Sequence, residues 1–391
     1  MGLNRAYLDY NASAPLLPAA RQAVIDALQQ VGNPSSVHQE GRAAKAILEA
    51  ARRDVAALVN AKADHVVFTS GATEAASTLL TPHFTMGRAP LRLSRLYVSA
   101  SEHPCILAGG QFPADQIETV PVDQDGIIDI ERLRALLGAH DRSAGLPLVA
   151  VQAANNETGV VQPVGRIGAV VKEFGGLFIV DAVQAAGRIP LDISEGYGDY
   201  LILSSHKIGG PKGVGAIIAG SDLVMPDALV RGGGQEKGHR AGTEALPLIA
   251  GFGAAARSAR DLLASGGWPA DRHRNLELAI REIAPDAIVF GAAAERLPNT
   301  TMFGLRDLKA ETVQIAFDLA GIALSAGSAC SSGKVGPSHV LAAMGFGKGT
   351  GGLRVSTAPD TPEAEMKLFL DALAQIVSRR DRSAAAAASA A

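Results

Sequence analysis

Between residues 65 and 219 the chain repeats one pattern: the short apolar runs VVF, LYVS, LVAVQ, LFIV, LILS and GAIIA alternate with stretches of helical periodicity. Runs apolar at nearly every position, not at every second one, suit strands covered on both faces. The alternation predicts an α/β fold in which a mostly parallel sheet carries helices on both sides. Helices are also expected over 19–30 and, after the turn-like GNPSS, over 41–60. Past the glycine-rich, charged segment RGGGQEKGHRAGT the rhythm changes, so a second, smaller α/β domain is expected. The expected boundaries are a large domain at 15–258, a small domain of 1–14 with 259–380, and a low-complexity tail at 381–391. The tail, DRSAAAAASAA, carries nothing to bury and is expected to fray.

Chemistry gathers where the strands end. In LILSSHKIGGPKGVG, Lys207 follows an apolar strand, and the glycines from 209 to 215 let the backbone turn tightly beside a ligand. A lysine in such a place is usually a solvated surface charge. Upstream, LFIV ends in Asp181, with Gln184 three residues on. The ordinary role of such an acid is a helix N-cap, but the C-terminal end of a buried strand is also the ligand edge of an open α/β sheet. Pyridoxal phosphate requires both a Schiff-base lysine and an acid on its pyridinium nitrogen, so the two strand ends explain each other. In HVVFTSGATEAAS a third strand runs into Ser70, Gly71, Ala72 and Thr73 at a helix start. Free backbone N–H groups and the helix dipole there favour a phosphate, although a plain capped helix has the same pattern.

Composition narrows the partners. A chain of 391 residues, 47% hydrophobic, can bury a large core. With 36 basic and 39 acidic residues and no basic stripe there is no electrostatic case for nucleic acid. No apolar run reaches membrane-spanning length and no signal-like segment opens the sequence, so a cytoplasmic setting is expected. Two cysteines, Cys105 and Cys330, leave no disulfide framework and no zinc pair, and no metal centre is expected. Cys330, among glycines and small residues in SAGSACSSGKVGPSHV, is the candidate reactive thiol, whereas Cys105 in SEHPCIL is expected to pack. GFGKGTGG around Lys348 lacks the glycine spacing and the Ser or Thr of a P-loop.

Seven blocks, TSGATE, SEHP, NNETGVVQP, VDAVQAAG, SSHKIGGPKG, RGGGQEKGHRAGTE and SAGSACSSG, in this order and at compatible spacing, resemble the cysteine desulfurases. These belong to the class V aminotransferase group of fold-type I pyridoxal phosphate enzymes, and the resemblance runs from YLDYNASAP to LRVS. It implies that Lys207 is the Schiff-base lysine, that Asp181 pairs with the pyridinium nitrogen and that His103 stacks on the ring. Gln184 and Asn156 would hold the phenolic side of the ring, and Ala72, Thr73, Ser204 and His206 the phosphate. Thr243 would reach the phosphate of a neighbouring subunit, which makes a homodimer the expected unit. Arg354, with Asn156, would bind the substrate carboxylate.

The reaction implied is removal of sulfur from L-cysteine, leaving L-alanine and a persulfide on Cys330 for a protein acceptor such as an iron-sulfur scaffold. Any contact of Cys330 with an iron-sulfur cluster would be transient. His103 would take the proton of the substrate thiol. Gln235 stands where many relatives carry His. A selenocysteine lyase or another carbon-sulfur lyase would use the same cofactor residues, and a class V aminotransferase would not need the thiol. A scaffold without activity would have no use for Lys207, Asp181 and Cys330 together.

Overall fold

A computed structural model describes residues 5–327, 338–347 and 351–390. After the short strand β1 (Ala6–Tyr7) come nine strands that form one sheet: β2 (Val66–Thr69), β3 (His83–Met86), β4 (Ala89–Ser99), β5 (Ile117–Val120), β6 (Leu146–Gln152), β7 (Leu177–Asp181), β8 (Tyr200–Ser204), β9 (Gly215–Ala219) and β10 (Val224–Pro226). Their order is β10-β3-β4-β6-β7-β8-β9-β2, with β5 alongside β4. β4, β5, β6, β7 and β8 are mutually parallel, and only β3 and β9 run against the other strands. The expected mostly parallel α/β sheet is thus present, with two reversed strands.

Side-chain alternation explains why these strands are apolar throughout. On β6, β7 and β8, Val149, Val151, Phe178, Val180, Leu201 and Leu203 enter one core, while Leu148, Ala150, Ile179, Tyr200 and Ile202 enter another on the opposite face. The first core is closed by helices Gln39–Leu58, Val164–Glu173 and Leu246–Ala264, and the second by helix Ala72–Leu79. Helices expected over 19–30 and 41–60 form at Pro18–Leu28 and Gln39–Leu58. The first starts earlier because Pro18 suits the opening turn, where its missing N–H is no loss.

A four-stranded antiparallel sheet has the order β11 (Ile288–Val289), β12 (Thr300–Gly304), β15 (Leu353–Ser356), β14 (Ser325–Ala326), and β1 pairs in parallel with β13 (Ile322–Ala323). Its core unites Ala6 and Leu8 with residues from 276 to 377, among them Phe303, Phe317 and Phe369. The boundary expected at 258–259 falls inside helix Leu246–Ala264, whose buried residues Phe252, Ala255, Ala256 and Ala259 belong to the first core.

The tail departs from expectation. Helix Glu363–Ala390 continues through the alanine run. Phe369, Ala372, Leu373 and Val377 bury its first half, and Arg380 pairs with Asp286 at 2.8 Å. A helix nucleated in that way extends through alanine at little cost.

The loop from 231 to 244 is fixed to the large sheet by a buried ion pair. Arg52 donates to both carboxylate oxygens of Glu236 at 2.7 and 2.8 Å, and to the carbonyl of Val66 at 2.7 Å. Glu236 also accepts from the Phe68 amide at 2.8 Å, and the clamp holds its backbone in the left-handed region at φ 46. Glu236→Ala leaves the buried Arg52 guanidinium with only the half-exposed Glu49, at 3.3 Å, as a carboxylate partner, and a loss of about 3 kcal/mol is expected in chemical denaturation. Arg52→Met in the same chain should recover part of that loss; a single variant as stable as the wild type would refute the clamp.

Candidate active site

The parallel strands deliver their C-terminal ends to one cavity of about 680 Å³. Asp181 ends β7, and Ser204 ends β8 immediately before a single 3₁₀ turn that carries His206 and Lys207. Gly209 and Gly213 hold positive φ values of 83 and 87, so glycine is required for the chain to leave Lys207 and return into β9. Gly215 pairs with Ser204 on one side and Thr69 on the other. A Cβ there would lie 2.7 Å from both the Gly71 carbonyl carbon and the Leu203 oxygen. That close approach brings Gly71, Ala72 and Thr73 at the start of the helix against Ser204 and His206, and all five line the cavity.

His103, Asn156, Asp181, Gln184 and Lys207 line it as well. The Lys207 ammonium donates to the carbonyls of Asn11 at 2.7 Å and Ala12 at 2.9 Å. Gln184 donates to the Asn11 carbonyl at 3.1 Å, while its Oε1 is buried with no hydrogen-bond partner among the described residues. Burial is the main influence on the titratable groups. It raises Asp181 to about 6 against hydrogen bonding from the Val183 amide and the Lys207 charge. It lowers His103 to about 4, helped by Lys207 and His339, and His206 to about 4, helped by Lys207, Lys212 and Arg188. Glu74 in the first helical turn behaves differently: burial pushes it up, but hydrogen bonds from Arg240 and Ser70 hold it below the usual carboxylate range.

Two of the described site residues expected from the sequence, Arg354 and Thr243, are not on the cavity wall. Arg354 lies behind it, 1% exposed, donating to the Asn156 carbonyl at 2.9 Å, to Ser325 at 3.0 Å and to Asp9 at 2.6 Å. Its contacts Asn156, Ser325 and Asp9 do line the cavity. Thr243 is exposed on the loop leading into helix Leu246–Ala264. Cys330 lies outside the described residues.

Other participants escaped sequence reasoning. Asn11 is fully buried and ties Lys207 and Gln184 to the N-terminal segment. YLDYNASAP is a matching block, but nothing in its composition marks a backbone carbonyl as a lysine acceptor. Glu102 is likewise fully buried; it accepts from the Gln152 amide at 2.8 Å, and burial drives its carboxyl well above the usual range. Cys105 packs against the second core as expected, and it also lines the cavity beside His103, which its sequence context does not reveal.

The histidines fix a pH dependence. Between about 4 and the ordinary 6.5, the folded protein binds fewer protons at His103 and His206 than the unfolded chain does. Their contribution to stability is complete above 6.5 and is lost as pH falls toward 4. Asp181 opposes them, since its folded value is raised from 3.8 to about 6 and its contribution is lost as pH rises through that window. Glu102, raised like Asp181, opposes them too, so two carboxyls stand against two histidines, and the histidine share is read in the thermal midpoint of the cofactor-free protein at about pH 7 minus that at about pH 5. His206→Gln should reduce that difference, and a difference unchanged by the substitution would contradict the assignment.

The model of the aminotransferase class-V family matches residues 6–369. Over 385 residues the chain is 40% identical to a cysteine desulfurase of Cereibacter sphaeroides, covering 96% of each chain. It is 39% identical to a cysteine desulfurase of Frankia, covering 95% of this chain and 91% of that one. It also resembles the solved structure of a NifS-like protein from Rickettsia africae, with a TM-score of 0.83 and 30% identity over 96% of this chain and 100% of the other.

Proposed function

The chain belongs to the aminotransferase class-V family as one of its cysteine desulfurases, and we propose that it works with pyridoxal phosphate in the cavity at Lys207 and leaves a persulfide on Cys330. The observation that carries this reading is the meeting of Lys207, Asp181 and the Gly71–Thr73 helix start in one cavity. The donor set fits the cofactor. Asp181 is a buried carboxyl with raised proton affinity, suited to a cationic ring N–H, and the orphaned Oε1 of Gln184 awaits a polar partner. The helix start, with Ser204 and His206, offers backbone and side-chain groups for a phosphate. Lys207 would hold the cofactor covalently, Asp181 its ring nitrogen, and His103 would lie against the ring.

Once bound, the cofactor supplies an electron sink for the substrate α-carbon. The chain's own residues do the rest. Arg354 and Asn156 would bind the carboxylate of L-cysteine; Arg354 stands behind the wall on Asn156, Asp9 and Ser325, so it reaches the substrate by exchanging one of those contacts for the carboxylate. Lys207 Nζ, once freed, takes the α-proton. The Cys330 thiolate attacks the substrate sulfur: an S–S bond forms, the C–S bond breaks, and its electron pair remains on the carbon skeleton that leaves as L-alanine after protonation. Thr243, exposed on its loop, would serve the phosphate of a second copy, which makes a homodimer the working unit. A protein sulfur acceptor, such as an iron-sulfur scaffold, and a cytoplasmic setting complete the proposal. Among the described residues no helix is long and apolar enough to cross a membrane.

The test is alanine formation from L-cysteine with a thiol reductant. Wild type should release alanine and sulfide in equal amounts, Cys330→Ala should release neither, and Lys207→Ala should lose the cofactor absorbance and roughly 10²–10⁴-fold in rate. Alanine formation that survives Cys330→Ala would overturn the persulfide route.

A further inference from the structure

Cys105 has no part in the proposed reaction, yet its contacts converge on a residue that has. Its backbone amide donates to His103 Nδ1 at 3.2 Å, and its sulfur lies 3.0 Å from the same nitrogen. An amide N–H can only donate, so Nδ1 presents its lone pair and the neutral ring carries its proton on Nε2. Burial, with Asp181 and Glu102 nearby, raises the Cys105 thiol above its ordinary range, so the sulfur remains protonated and is a second donor to Nδ1. Lys207 from the turn after β8, and His339 from the helix His339–Ala343, face His103 and also disfavour a charge on it. His339 is occupied with the Glu102 carbonyl at 2.8 Å.

We propose that Cys105 is a positioning residue for His103, its amide and thiol together holding the imidazole neutral with Nε2–H as the ring's only donor. A proton added to such a ring must go to Nδ1, where it meets the amide hydrogen of Cys105. His103 therefore enters the reaction as a hydrogen-bond donor from Nε2. Direct uptake of the substrate thiol proton by the resting ring, the role the family resemblance implies, first requires the Nδ1 contacts to break. This inference rests on the proposed active site only for the placing of His103 in it; the tautomer follows from the contacts themselves.

The experiment is ¹⁵N NMR of histidine-labelled, full-length protein purified with its cofactor. The chain has 9 histidines, and the His103 signal is the one lost in His103→Gln. The expected result is the Nε2–H tautomer pattern from about pH 6 to about pH 8. Cys105→Ala keeps the amide but removes the thiol donor, and should raise the His103 midpoint by about one pH unit; Cys105→Ser should restore it. An Nδ1–H pattern in wild type, or a midpoint the same in Cys105→Ala as in wild type, overturns the proposal. The signature is read without turnover, so the NMR pattern found in a protein that forms no alanine would sustain this inference and count against the proposed function alone.

Discussion

Asn11 is the point on which the two sheets and the site depend. Its carbonyl accepts from Lys207 and Gln184, its amide donates to Ser356 on β15, and its side chain donates to Thr300 on β12 at 2.8 Å and to the Asn156 carbonyl at 3.3 Å. Each of these groups is fully or partly buried, where an unmade hydrogen bond costs more than a made one contributes. A fully buried asparagine that satisfies both sheets leaves the chain one way to pass between them. The segment that carries Asp9 is fixed by the same crossing, through the bridge between Asp9 and Ser356, and Asp9 in turn orients Arg354. The geometry of the lysine and of the arginine therefore has a common origin in a segment near the start of the chain.

The electrostatics of the cavity follow from placing polar groups at strand ends inside an apolar fold. Burial pushes His103 and His206 toward neutrality and Asp181 and Glu102 toward protonation, whereas hydrogen bonds from Arg240 and Ser70 carry Glu74 the other way. The two raised carboxyls differ in their surroundings. Asp181 has the Lys207 charge and the Val183 amide beside it and stays within reach of ionisation, whereas Glu102 is pushed further by its neighbour Asp181. Glu74 and Asp9 on the same cavity are ion-paired with Arg240 and Arg354, so neutral histidines and a readily ionised Asp181 let the site accept a cationic ring nitrogen without gathering surplus charge in a low dielectric.

The strand ends were legible because parallel strands are apolar at every position, so the first polar residue after each run, Asp181 or Ser204, stands out. The glycines around Lys207 were legible for the same reason: positive φ and close approach leave few alternatives to glycine. The roles of Asn11 and Glu102 were not, since one acts mainly through its backbone carbonyl and the other through burial, and neither leaves a mark in residue type. Cys105 packs as read, but its contacts with His103 were not legible, because a cysteine near a proline says nothing about the histidine two positions earlier. The alanine tail was misread because low complexity conceals whether a helix has been nucleated upstream, and the anchor here is Phe369 and Leu373, well before the tail.

Local order belongs to the sequence. Apolar runs specify strands, helical periodicity specifies what covers them, and the residues at their ends specify the chemistry on offer, because all of these depend on neighbours within a few positions. Distance and burial belong to the tertiary structure. Lys207 meets the carbonyl of a residue 196 positions away, and Arg354 meets an aspartate 345 positions away. Only the completed fold brings such groups together, and only burial in it gives Asp181, His103 and His206 their proton affinities, because desolvation is a property of the whole packed chain.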